Sequence, residues 1–259
     1  MTSGRGQGSS YPSTRVIVNS GDLILQYTSL KHAETTHTRW RVSSESLMQS
    51  SPYFRALLDP DKFSEGRNLV KQRELHKLDV NPTVSGEVAG FSGNPSSDKD
   101  ALPTLRLPDD HLPPSFGPDT IGLFLKVLSF NSFTEAERES FEAEVRAQKP
   151  SFIAGLIEIA DAFNSPEAVR ECLTRSCYTL GKPKLPLTKF TPSMLKLNEN
   201  RIRQSIFIAK FLNHQTVFKM LTHALVVAGS RFWVNGIEPP APDSPGWHYL
   251  SDGLEGMIP

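Results

Sequence analysis

Cysteine is scarce: Cys172 and Cys177 are the only two in 259 residues. At i, i+5 they fall on different faces of a helix, which excludes the Cys-x-x-Cys spacing of a metal or redox pair and leaves two free thiols. The sequence also lacks any run of about 18 apolar residues, the length that a spanning helix needs. Its polar, Gly- and Ser-rich start has no apolar segment of the secretory type. The expectation is an intracellular protein, cytoplasmic or nuclear, with no membrane contact. A charge excess is lacking too, since Lys plus Arg number 28 and Asp plus Glu number 28. Without a basic field to neutralise phosphates, nucleic acid is not expected as a partner.

Catalytic signatures are equally sparse. There is no Gly-x-Ser-x-Gly elbow, no His-Glu-x-x-His, no Gly-x-x-x-x-Gly-Lys-Ser/Thr and no Gly-x-Gly-x-x-Gly after a strand. The histidines (His32, His37, His76, His111, His214, His223 and His248) are scattered, and none pairs with a second ligand on a strong helix, so no metal is expected. Asp109 and Asp110 could be paired acid and base, but their place behind a strand and ahead of His-Leu-Pro-Pro suits a turn or cap. The reading is a non-enzyme without cofactors. An active site assembled from residues distant in sequence stays open.

What the sequence does contain is centred on Gly21 to Leu58. Leu23, Ile24 and Leu25 follow a Gly-Asp turn, and Trp40 and Val42 sit in a second short run; together they predict a hairpin. The Asp22 carboxylate is expected to bond turn amides. From Ser43 the period changes, with Leu47, Phe54, Leu57 and Leu58 at helical spacings behind a Ser-Ser-Glu-Ser cap and Pro52 at a first turn. Two short helices meeting near Ser50 and Ser51 are predicted, with Phe54 as a core residue.

Here a resemblance enters. GDLIL, a strand carrying RWRV, the helical stretch SSESLMQSSPYFRALL and then Phe63-Ser64-Glu65 follow one another in the order of the BTB/POZ domain, and the pattern is most similar to the BTB proteins of filamentous fungi. Further along, LPDD at Leu107–Asp110 and LIEIADAF at Leu156–Phe163 are similar to stretches of that family. The resemblance covers about Gly21 to Leu180, apart from one insertion.

Taken in order, residues 1–14 lack the apolar content that would offset their ordering entropy and are expected to form a disordered tail. Val16, Ile17 and Val18 then either lead into the first strand or pair, as an edge strand, with a partner chain. Past Glu65 large apolar residues thin out and Gly and Pro accumulate, so about 66–103 is read as a disordered insertion: tolerated spacer, or a regulatory or partner-binding loop. Leu105 and Leu107 alternate with polar residues as in a half-buried strand, and Ile121 to Leu128 form a strongly apolar, central helix. Glu135 to Lys149 reads as a solvated helix or linker. Phe152 to Phe163 follow one wide helical face, and Pro166 opens a further helix through Val169, Leu173 and Tyr178. Residues 181–197 form a linker, 198–235 a pair of helices, and 236–259 a flexible tail. Trp233 and Trp247 either pack back on those helices or meet a partner.

The expected fold is thus α+β: a BTB/POZ-like small mixed sheet covered by helical hairpins over 15–180, with a helical C-terminal extension. What the resemblance implies is protein binding, with self-association as a homodimer or service as an adaptor that brings a substrate to a cullin-based ubiquitin ligase. The alternative is a scaffold or transcription-associated assembly domain unrelated to ubiquitin. The expected partner-binding residues are Phe63, Glu65, Val16, Ile17 and Val18. For Phe63 two readings stand: its ring enters an apolar pocket on the cullin while Glu65 orients the loop, or it closes the domain's own core while Glu65 caps a turn.

Overall fold

The computed structural model describes residues 14–31, 34–80, 102–107, 116–180 and 197–233. Within them the chain is α+β, with a four-stranded mixed sheet and nine α-helices. It divides into two compact units between Ser132 and Phe133. That boundary lies inside the 15–180 stretch that the sequence reads as one domain.

The first unit is built on a long hairpin. β2 (Leu23–Lys31) and β3 (Glu34–Val42) pair antiparallel from Leu23↔Val42 to Lys31↔Glu34. They run well beyond the apolar runs at Leu23–Leu25 and Trp40–Val42 because the intervening Thr28, Thr35, Thr36 and Thr38 are β-branched and so favour strand. β1 (Thr14–Val16) joins β3 in parallel, and β4 (Thr104–Arg106) joins β2 in parallel, giving the order β1-β3-β2-β4. One face buries Leu23, Leu25, Tyr27, Trp40, Val42 and Leu105.

Helices α1 (Ser44–Ser50) and α2 (Pro52–Leu57) follow the hairpin. Ser51 separates them: its amide closes α1 onto the Leu47 carbonyl, its hydroxyl accepts the Phe54 amide, and Pro52 opens α2. Phe54 is wholly buried. α4 (Pro118–Leu128) buries every side chain from Ile121 to Leu128 except Lys126, as a helix apolar on all sides must.

The stretch read as insertion requires a correction. Residues 66–80 are not loop but most of a helix, α3 (Ser64–Val80). Its inward contacts are polar. The Gln72 side chain accepts the Thr104 amide at 2.8 Å and donates to the Thr104 carbonyl at 3.4 Å, closing the free edge of β4. Arg73 pairs with Asp22 and donates to the Ser44 hydroxyl at 3.0 Å. Among the described side chains of this helix Leu69 is the one large apolar group that is buried, so the helix offers little apolar period to read.

The second unit is helical. α5 (Glu135–Arg146) opens on a reciprocal capping box between Thr134 and Glu137 and buries only Phe141 and Val145. α6 (Pro150–Ala162) buries residues all round, including Ile153, Leu156, Ile157 and Ile159, and packs against both α7 (Pro166–Arg175) and α8 (Glu199–Phe211). α8 and α9 (Gln215–Trp233) form a hairpin around Ile202, Ile206, Leu221 and Leu225. The expected tail before residue 14, the insertion between 81 and 101, Asp109 and Asp110, the linker between 181 and 196 and the segment from 234 onward with Trp247 lie outside the described residues.

Candidate protein-interaction surface

Phe63 is presented by a turn that the sequence Asp59-Pro60-Asp61-Lys62 builds. The Asp59 carboxylate accepts the Asp61 amide at 3.0 Å, an Asx turn, while the Asp59 carbonyl accepts the amides of Lys62 and Phe63, each at 3.2 Å. Asp59 also pairs with the Lys62 ammonium at 3.5 Å. The turn is then pressed onto the first turn of α3 at Gly66, where a Cβ would lie 2.6 Å from the Asp59 carbonyl carbon and oxygen. Only a residue without a side chain permits that approach.

Phe63 itself is 46% accessible, among the most exposed large apolar residues of the described chain, although burying a Phe is worth about 1.5–3 kcal/mol. That exposure speaks against the reading in which Phe63 closes the domain's own core. Glu65, two residues on, is half-buried and accepts the Ser64 hydroxyl at 2.9 Å. Tyr53 of α2 lies near; burial, and secondarily the Glu65 charge, push its phenol pKa up. Tyr53 stands edge-on to Phe54, so an aromatic step leads from the core toward this surface.

The other expected residues separate. Val16 on β1 is 53% exposed, Ile17 is half-buried with its amide bonded to the Arg41 carbonyl at 3.0 Å, and Val18 is buried at 5%. Val18 thus packs within the unit and presents nothing to a partner. β1 takes up β3 of its own chain, and its pairing through Arg15 is reinforced by a 2.6 Å ion pair to Asp119 at the start of α4. β1 forms one edge of the sheet, and α3 is tied through Gln72 to β4 at the other.

Asp22 and Gly66 escape a reading by motif. Asp22 does not bond its own turn amides but reaches forward to Ser44 and Arg73. Gly66 three places after a Phe in a polar stretch was the available signal of close backbone approach.

In the second unit an open cleft of about 400 Å³ is lined by Gln148, Lys149, Ser151, Asn198, Arg201 and Gln204 among others. Its lining has no carboxylate, thiol or imidazole that could pair as acid and base. Among the described residues no helix is long and apolar enough to cross a membrane.

The chain matches no family model, no curated protein and no solved structure.

Proposed function

We propose that the chain is a non-enzymatic protein-binding module of BTB/POZ type, in which Phe63 anchors a partner, Glu65 orients the contact, and the cullin scaffold of a ubiquitin ligase is that partner. The observation that carries this reading is the exposed Phe63 ring on a turn braced by Asp59 and Gly66. An exposed aromatic group on a hydrogen-bonded turn loses little backbone entropy on docking, and a few such residues dominate many interfaces. The small mixed sheet and the two short helices behind its hairpin are compatible with the family.

Self-association belongs to the same reading. The exposed Val16 on an edge strand favours it, because an unpaired edge is a template for another chain. Light scattering over a range of concentrations tests it: growth in mass with concentration supports a dimer, and an unchanged monomer mass overturns it.

For the adaptor role, bead-bound cullin N-terminal region is offered the parent chain and a Phe63→Ala, Glu65→Ala double variant. Capture of the parent but not of the variant supports the role. Equal capture of both, or of neither, overturns it and favours a scaffold or transcription-associated assembly domain in which ubiquitin plays no part.

A further inference from the structure

The face of the sheet turned away from the buried row carries arginines and is itself covered in part, since Ile24 on it is buried and Asp22, next along that side of the strand, pairs with Arg73 of α3. Register aligns Thr14, Arg39, Gln26 and Arg106 in one row across the four strands, and Val16, Arg41, Ile24 and Thr104 in another. Between them Trp40, Leu25 and Leu105 point to the opposite face and are buried. None of the residues in the two arginine rows is acidic or aromatic. His37, next along β3 on the same face, is exposed and bonded through its ring to the Thr28 hydroxyl at 3.2 Å.

Arg41 is held in place, and among the described residues neither it nor Arg39 is neutralised. The Arg41 Nε donates to the Gly21 carbonyl at 2.9 Å, which fixes the guanidinium along the strand. Arg39 has its Nε buried with no hydrogen-bond partner among the described residues. No carboxylate pairs with either arginine among the described residues. A carboxylate is the group whose two oxygens fit the outer nitrogens of a guanidinium fork.

Spacing decides what would bring the carboxylates. Alternate residues on one strand are about 7 Å apart, and positions two strands apart are about 10 Å. An extended peptide repeats its same-face side chains at that same interval of about 7 Å, so acids at alternate positions meet Arg39 and Arg41 in turn. A single-stranded nucleic acid fits less well, because the two rows hold no Phe, Tyr or Trp for base stacking and the chain as a whole has a net charge of zero.

We propose that this arginine face binds an extended acidic peptide segment, with carboxylates at alternate positions, through bidentate hydrogen bonds from Arg39 and Arg41. The site is independent of Phe63 and stands whether or not a cullin is bound.

The test uses the full chain and a fluorescein-labelled peptide of alternating Glu and Thr, read by fluorescence anisotropy. The peptide is expected to bind with an affinity that falls as salt rises, while its Gln-for-Glu counterpart does not bind. Arg39→Gln is expected to weaken binding by at least about tenfold, and Arg39→Lys by nearly as much, because an ammonium keeps the charge but cannot make the two-pronged contact. Circular dichroism of each variant establishes that it is folded. The proposal is overturned if the Glu peptide fails to bind, if Arg39→Gln binds it as the parent does, or if single-stranded oligodeoxythymidylate of matching charge binds more tightly.

Discussion

The carboxylate of Asp22 accepts both the backbone amide and the hydroxyl of Ser44, each at 2.7 Å, and pairs with Arg73. One side chain at the mouth of the hairpin therefore caps α1 and anchors α3. Loss of a cap costs about 0.5–2 kcal/mol, and a half-exposed ion pair adds about 1 kcal/mol at most. Asp22→Ala is expected to destabilise by about 1–3 kcal/mol in urea unfolding. Asp22→Asn, which keeps an acceptor for the Ser44 amide, should cost less. Equal losses for the two variants would show that the cap contributes nothing.

Gly66 is expected to resist any side chain. A methyl group there would sit 2.6 Å from the Asp59 carbonyl, so either the turn or α3 must move. Gly66→Ala should lower stability by about 1–3 kcal/mol, the usual cost of overpacking, despite the better helix propensity of alanine. A raised melting temperature would mean that the turn is not braced there.

How much of this was legible depends on what kind of force holds each element. The hairpin, α1, α2, α4 and α6 announce themselves because apolar groups such as Leu23, Trp40, Phe54, Leu125 and Ile157 recur at strand or helix spacing and are buried. α3 gives no such signal. It is fastened by Gln72 to a backbone edge and by Arg73 to Asp22, and polar ties between distant residues have no period in the sequence. Phe63 was legible as a candidate, but its exposure is set by the tertiary structure and has no signal in the sequence. α7 ends at Arg175 rather than near Tyr178 because Cys177 takes φ 50, a choice that no glycine advertises.

That helix end is itself a place to gain stability. The Tyr178 amide bonds the Leu173 carbonyl at 3.0 Å and the Cys177 amide bonds Thr174 at 3.0 Å, closing a Schellman motif around a left-handed cysteine. Cys177→Gly removes a Cβ from a conformation that disfavours it by about 1 kcal/mol. The melting temperature should rise by a few degrees, and a fall would contradict the strain assigned to this position.

The other thiol carries a pH dependence. Burial pushes Cys172 up to about 11, and Tyr178 is raised as well, mainly by burial. The folded chain thus keeps the thiol proton at a pH where the unfolded chain, with a thiol near about 8.5, has lost it. This contribution is complete below about pH 8.5 and is lost progressively as the pH climbs toward about 11. Urea midpoints at about pH 8 and about pH 10 should therefore fall less in Cys172→Ala than in the parent. An identical decline in both would place the loss elsewhere.

The claim that Phe63 works outside the fold is tested most directly by pairing two readings on one variant. Phe63→Ala, measured for melting and for calorimetric binding to the purified cullin N-terminal region, should unfold within about 0.5 kcal/mol of the parent, as exposed positions do. Its binding should weaken by at least about 2 kcal/mol, the loss expected of an anchoring aromatic. The opposite pattern, a loss of several kcal/mol in stability with cullin affinity unchanged, would contradict the account and return Phe63 to the core.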